Sequence, residues 1–147
     1  HDNFGLNFAF SDLHAALANA QLSRLEEILE KKRYIFDFYL KNITNNKINI
    51  FNEDQKNSSN HWFSSVFVDD PDNFTQYLRN NMIGSRRSFG CLSNQKMITR
   101  HNYPSRVHKA FPLNQSKLFY DTFVSLPSSF DLSNEDLKYI TEIINLY

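Results

Sequence analysis

Several residues whose side chains could bind an anion stand in residues 94–110. Arg100, Arg106 and Lys109 stand there with His101 and His108, in a stretch with little regular pattern. Guanidinium and ammonium groups are side chains that bind phosphate oxygens in proteins. This stretch could therefore bind a diphosphate. The alternative is a solvated loop, because runs of like charge are often only exposed surface.

The histidines and the cysteine do not indicate metal chemistry. No histidine pair stands at the spacing of a metal site with a cysteine or carboxylate partner, and Cys91 is the single cysteine. We therefore expect no metal site, no internal disulfide and a reducing compartment. Structural or surface roles are expected for all five histidines: His1, His14, His61, His101 and His108.

The composition is that of a folded protein of one domain. The 147 residues are 41% hydrophobic and 15% aromatic, which is enough for a moderate core. Sixteen basic residues balance sixteen acidic ones, so no overall field favours nucleic acid or an anionic membrane. No apolar run approaches the roughly 20 residues of a membrane-spanning helix, and the start has no signal-peptide pattern. We expect a cytoplasmic protein with no nucleic-acid or membrane partner.

Residues 11–40 predict one long helix. Leu22, Leu25 and Leu29 recur at helical steps along one stripe, and Ser11 suits the N-cap. About thirty residues at 1.5 Å each would form a rod of roughly 45 Å. That is long for a compact domain with a radius of gyration of about 15 Å, so we expect one end to contact a body outside this chain.

Residues 47–147 predict a small α+β domain. The order of elements is long helix, strand, strand, helix, strand, helix, strand, helix, which is typical of a mostly antiparallel sheet with helices. The predicted strands cover residues 48–51, 61–68, 85–89 and 123–126, and the later helices begin near Pro71, Pro112 and Ser133.

The most specific pattern of the chain lies in residues 5–25. Its members are Gly5, Asn7, Phe10, Ser11, Asp12, Leu13, Ala15, Ala16, Leu17, Gln21, Leu22, Arg24 and Leu25. These residues resemble the junction segment of the DegT/DnrJ/EryC1/StrS family of sugar aminotransferases, which are vitamin B6 enzymes. Shorter motifs at residues 61–63, 78–86 and 111–136 follow in the order of that family's small domain. Within the family, residues 125–129 are most similar to the perosamine-synthase branch.

The resemblance implies the C-terminal small domain of a fold-type I enzyme that depends on pyridoxal 5'-phosphate (PLP). Residues 11–40 would be the linking helix and residues 47–147 the small domain. The large PLP-binding domain, with the lysine and carboxylate that act on the cofactor, would be absent from this chain, so we expect no catalytic residue here. The whole protein would transfer an amino group from an amino acid, by family analogy glutamate, to a nucleotide-linked keto sugar. It would act as a homodimer, or this chain would associate with the missing domain.

Two residues match family positions that bind cofactor or substrate. Asn7 matches the asparagine that reaches the cofactor phosphate of the neighbouring subunit, and an amide NH2 can donate to a phosphate oxygen; a turn before the helix is the alternative. Arg86 matches an arginine at the active-site rim that could bind the diphosphate, and a solvated strand edge with Arg87 is the alternative. Ala9 replaces a usual cation, and residues 89–93 lack a usual histidine, which leaves a diverged or inactive enzyme open.

Two further functions stay open. A related keto-deoxysugar dehydratase has nearly the same small domain, and a histidine replaces its cofactor lysine in the large domain. The chain could also be a non-catalytic fragment that acts as a dimerisation or partner-binding module. Its contact surface would then be the alanine-rich start of the first helix, which is slim enough for another backbone to approach.

Overall fold

The structure, a computed structural model, describes residues 5, 10–52, 59–92, 95–96 and 114–147. The helices are α1 (Asp12–Leu22), α2 (Leu25–Asn42), α3 (Pro71–Asn80), α4 (Asn114–Thr122) and α5 (Asn134–Asn145). The strands are β1 (Asn49–Ile50), β2 (Ser64–Phe67), β3 (Arg86–Arg87) and β4 (Phe123–Leu126). All pairings of the four-stranded sheet are antiparallel. The predicted α+β fold is confirmed.

The prediction of one continuous helix over residues 11–40 was wrong. A turn at Ser23 and Arg24 separates α1 from α2, and Arg24 has φ −112° and ψ 12°. The Ser23 hydroxyl donates to the carbonyl of Ala20 at 2.8 Å, a local bond that competes with the helix ladder. Arg24 also forms a two-pronged ion pair with Glu27, with N to O distances of 2.9 and 3.1 Å. The prediction rested on the spacing of the leucines, which contains no information about these polar bonds.

Only the second of these helices belongs to the core. None of the eleven residues of α1 is buried, and Leu13, Leu17 and Leu22 are 60–71% exposed. In contrast, α2 buries Ile35 and Tyr39 completely or almost so. The packed body of the domain therefore begins in α2.

The sheet has a core face and a second face, because side chains alternate along each strand. Strand order is β1-β2-β4-β3. Val66 and Val124 are partners on the core face, where they pack against α2, α3 and α5. Phe67 and Phe123 are partners on the second face. The buried residues of the core are Ile35, Tyr39, Ile48, Val66, Val68, Phe74, Leu78, Ile83, Val124, Leu126, Leu137, Ile140 and Ile144.

Polar side chains of α2 fasten it to the segment that follows β4. The Tyr39 hydroxyl donates to the Pro127 carbonyl at 2.8 Å, and the ammonium group of Lys31 donates to the Leu132 carbonyl at 2.7 Å. Burial raises the pKa of Tyr39, since the phenolate would lose its hydration there. These bonds fix the position of the chain between β4 and α5.

The predicted cap of the last helix is confirmed. The Ser133 hydroxyl accepts from the Asp136 amide at 3.0 Å, and the Asp136 carboxylate accepts from the Ser133 amide at 2.9 Å. This reciprocal pair is a capping box. The Ser133 hydroxyl also donates to the Asp136 carboxylate at 2.7 Å, and this bond, together with the bond from the Ser133 amide, lowers the pKa of Asp136 because both favour the carboxylate over the acid.

Candidate functional site

A row of side chains crosses the second face of the sheet from β1 to β3. Ser65 is the partner of Ser125, and Ser125 is the partner of Arg86. Phe51 follows β1 opposite Ser65, and its amide donates to the Ser65 carbonyl at 2.9 Å. Directly opposite residues in antiparallel strands share a face. Phe51, Ser65, Ser125 and Arg86 therefore form one row, called here the second-face row.

The two adjacent arginines of β3 lie on opposite faces of the sheet. Arg87 is bound on the core side, where it donates to the Asp72 carboxylate at 2.6 Å and to the Tyr120 carbonyl at 2.7 Å. Arg86 is exposed, and its guanidinium carbon lies 5.1 Å from the centre of the Phe89 ring. Within the part of the chain that the structure describes, Arg86 has no ion pair. Arg87 is thus a structural residue, and Arg86 is a cation available to an anion.

The turn after α3 aims the chain into β3. The Met82 amide donates to the Arg79 carbonyl at 3.0 Å, and the Ile83 amide donates to the Leu78 carbonyl at 2.9 Å. This double closure is a Schellman motif. Its left-handed position is Met82, with φ 60°, although glycine usually stands there. Ile83 is buried against the core, which holds the strand that carries Arg86.

A half-open cavity of about 210 Å³ lies beside the second-face row, at the Phe51 end. The His61 ring stacks on Phe36 with 4.2 Å between ring centres, and Trp62 stacks on Phe63 at 4.6 Å. Trp62 remains 64% exposed. The described residues that line the cavity are Phe36, Phe51, Ser59, Asn60, His61, Trp62, Phe63, Ser65 and Phe123. Most of these residues carry an aromatic ring.

The segment that carries His61 and Trp62 has a strained, well-anchored backbone. His61 has φ 46°, a left-handed conformation that costs a residue with a side chain about 1–2 kcal/mol. The carboxamide oxygen of Asn60 accepts from the Trp62 amide at 3.0 Å. Such strain persists only where the surroundings enforce it, and it gathers at functional sites.

Lys32 fixes this segment from the side of α2. Its ammonium group donates to the carbonyls of Ser128 and Trp62, the latter at 3.4 Å, and the Ser128 hydroxyl also donates to the Trp62 carbonyl at 3.0 Å. Burial lowers the pKa of Lys32, because the charged amine is partly removed from water. The Trp62 wall of the cavity is thus tied to α2 and to the segment after β4.

Of the two predicted site residues, the structure places one. Arg86 lies on the second-face row. Asn7 lies outside the described residues, as do Ala9 and residues 100–109. The cavity was not predicted as a site, because the motif at residues 61–63 reads only as the start of a strand. The left-handed backbone at His61, which separates these rings from the strand, has no signal in the sequence.

The described residues contain neither a membrane-spanning helix nor a cluster of metal ligands. Among them, no helix has both the length and the apolar character needed to cross a membrane. Over the same ranges, no three side chains of the metal-ligating types gather closely enough to hold an ion.

Comparison with known proteins gives the family. The family model of the DegT/DnrJ/EryC1/StrS aminotransferases matches residues 1–145. The chain belongs to this family. It is 28% identical over 156 residues to the GDP-perosamine synthase of Vibrio cholerae, and the match covers 100% of this chain and 40% of that relative. The family member thus spans about two fifths of the length of the curated relative.

Solved structures show the same fold. The aminotransferase TlmJ from Streptoalloteichus hindustanus superposes with a TM-score of 0.79 at 18% identity, over 98% of this chain and 38% of TlmJ. Spr1654 from Streptococcus pneumoniae, solved in its PLP form, gives a TM-score of 0.71 at 19% identity, over 93% of this chain and 35% of Spr1654. The architecture of this family member is therefore shared with proteins that are more than twice as long.

Four lysines of this family member have partners among the described residues. Lys31, Lys32 and Lys47 donate to backbone carbonyls, and Lys117 pairs with Asp121. None of the described residues that line the cavity beside the second-face row is a lysine.

Proposed function

We propose that this chain forms the small domain of a PLP-dependent aminotransferase that aminates a nucleotide-linked keto sugar, with glutamate as the amino donor. The observation that carries the proposal is Arg86, an exposed cation without an ion pair in the described chain, on the same face of the sheet as the aromatic cavity. The family match over residues 1–145 and the relative named GDP-perosamine synthase support this activity. The residues of the second face then have a substrate to bind.

Arg86 would bind the diphosphate of the nucleotide. A guanidinium presents several donors in a planar fork that suits phosphate oxygens. Its contact with Phe89 orients the group without neutralising its charge. This role needs no proton transfer, so Arg86 would be a binding residue and not a catalytic one.

The cofactor chemistry would belong to a large domain that is not part of this chain. PLP, when bound, supplies an electron sink and carries the amino group. Asn7 would donate its amide NH2 to the cofactor phosphate of the neighbouring subunit, which requires a homodimer. Residues 11–40 would link the two domains and residues 47–147 would form the small one, in a cytoplasmic enzyme.

The exposed leucines of α1 favour a second candidate, a partner-binding module without catalysis. Leu13 and Leu17 lie one turn apart on one side of α1 and are 71% and 60% exposed, and exposed apolar side chains grouped in this way are typical of a contact with another polypeptide. The same face would serve the linking role in the aminotransferase. The two candidates therefore differ in activity and not in this surface.

The decisive experiment measures amino transfer by the protein together with its PLP-binding domain. The enzyme is given PLP, glutamate and a GDP-linked 4-keto sugar, and the products are analysed by mass spectrometry. The proposal predicts an amino sugar and 2-oxoglutarate in equal amounts. Loss of a sugar hydroxyl without amination would indicate the related dehydratase, and no conversion of the sugar would favour the partner-binding module.

A further inference from the structure

The cavity beside the second-face row has the size of a single ring system. Its volume is about 210 Å³, whereas pockets for complete drug-sized ligands are roughly 300–1,000 Å³. A whole nucleotide-linked sugar does not fit in it. One end of such a molecule does.

The lining favours a planar aromatic group. Phe51, Trp62 and Phe123 contribute aromatic rings to the wall, and rings of this kind stack on nucleobases, since every base has a π-face. Asn60 uses its carboxamide oxygen to accept from the Trp62 amide, which leaves its NH2 group as a donor toward a base oxygen. The site thus offers aromatic rings for stacking and the Asn60 NH2 group for a hydrogen bond.

The distance from this cavity to Arg86 suits a nucleoside diphosphate. Phe51 and Arg86 are the two ends of the second-face row and are separated by three strand spacings, on the order of 14 Å at about 4.8 Å each. The two residues between them, Ser65 and Ser125, carry no charge and are buried, and their hydroxyls lie 3.1 Å apart. An aromatic site and an exposed cation at this separation match the base and the diphosphate of one ligand.

The charges around the row also favour an anion at the Arg86 end. Asp72 is bound to Arg87 on the other side of the sheet. Asp121 of α4 is paired with Lys117. Among the described ion pairs, neither of these two carboxylates binds Arg86.

We infer that the aromatic cavity is the subsite for the base of the nucleotide-linked substrate, with Trp62 as its stacking wall. This inference rests on the proposed function and deepens it, because it divides the nucleotide between two named places on this chain. The base occupies the cavity, and the diphosphate lies against Arg86.

The test uses the single tryptophan of the 147-residue chain. GDP is titrated against the chain while Trp62 fluorescence is followed, and affinity is measured independently by calorimetry. We expect GDP to quench the fluorescence, and inorganic pyrophosphate, which lacks a base, to leave it unchanged. The variant Trp62→Ala should bind GDP about 5- to 100-fold more weakly, the range that corresponds to loss of one stacking contact. Because Trp62 is 64% exposed, this variant keeps the core intact.

Tyr139→Ala is the matched control. Tyr139 is a 46% exposed aromatic residue of α5, on the core side of the sheet, and its removal should leave GDP affinity unchanged. UDP binding with the same dependence on Trp62 also supports the subsite, since stacking accepts any base. Equal GDP affinity of Trp62→Ala and the wild-type chain would overturn the subsite and leave the proposed function standing. Failure of both GDP and UDP to bind would also overturn the subsite. The amino-transfer assay then tests the proposed function separately.

Discussion

The guanidinium carbon of Arg86 lies 5.1 Å from the centre of the Phe89 ring, three residues further along the chain. Both side chains are exposed. An arginine held over a ring gains about 0.5–1 kcal/mol at an exposed site and keeps its charge. The adjacent Arg87 is used differently, because its guanidinium is bound to Asp72 and to the Tyr120 carbonyl. The two neighbours in β3 therefore divide binding and stability between them.

This division predicts that two alanine variants differ in their effect on stability. Arg86→Ala should leave the free energy of unfolding within about 0.5 kcal/mol of the wild-type value, as for most surface substitutions. Arg87→Ala should lower it by about 1–2 kcal/mol, since a charged hydrogen bond to a carbonyl is lost while the ion pair to exposed Asp72 adds little. Urea denaturation measures both values. Equal destabilisation by the two variants would contradict the assignment.

The Schellman motif after α3 predicts a stabilising substitution. Met82 is left-handed with φ 60° and is 92% exposed, so its side chain is strained and contributes little packing. Met82→Gly should raise the free energy of unfolding by about 0.5–1 kcal/mol, because the relief of strain exceeds the extra entropy of glycine in the unfolded chain. Thermal denaturation checks the shift. Met82→Ala keeps the strain and is the control, which should change little.

Tyr39 predicts a loss of stability at alkaline pH. Burial raises the pKa of this tyrosine above its unfolded value of about 10. Its contribution is therefore fully present below pH 10 and is lost as the pH rises from there toward the folded pKa. Tyr39→Phe should lower stability at neutral pH by about 1–2 kcal/mol, because the Pro127 carbonyl loses its donor. Urea denaturation across pH 8–11 should also give a shallower alkaline decline for the variant, and an unchanged slope would refute the role of Tyr39.

The bonds of Lys32 predict a link between α2 and the cavity wall. Lys32→Met removes the donor to the Trp62 and Ser128 carbonyls, so the Trp62 side chain should gain mobility and its fluorescence anisotropy should fall. Lys31→Met is the matched control, because Lys31 donates to Leu132 and not to the Trp62 segment. It should reduce stability without changing the anisotropy. The same anisotropy change in both variants would show that Lys32 has no specific role at the cavity.

Elements with strong local signals could be predicted from the sequence. The strand Phe123–Leu126 agrees with its prediction at both ends, since β-branched and aromatic residues precede Pro127. The cap at Ser133 is a short-range pattern that reads directly from residue types. This strand and this helix start could be predicted because they depend on interactions between residues that are close in the sequence.

Features that depend on backbone angles or on distant partners could not be predicted. The leucine spacing predicts a helix that continues through residues 23–24, and the residue types there do not indicate a break. The hydroxyl of Ser23 and the ion pair of Arg24 nevertheless help to end α1 there. The left-handed residue is Met82, whereas Gly84, two positions later, does not take that conformation. Which of the two arginines faces the core follows from the register with β4, in which Arg86 pairs with Ser125 and Arg87 pairs with the buried Val124. Sheet register is a long-range property that spacing along one strand does not contain.

We propose above that this chain binds the nucleotide end of the substrate of a sugar aminotransferase. The most direct test is the steady-state kinetics of Arg86→Ala in the protein joined to its PLP-binding domain. We expect KM for a GDP-linked 4-keto sugar to rise about 10- to 100-fold, the loss expected for one charged contact, while KM for glutamate and kcat stay near wild-type values. An unchanged KM for the sugar, or the absence of amino transfer by the wild-type enzyme, would contradict it.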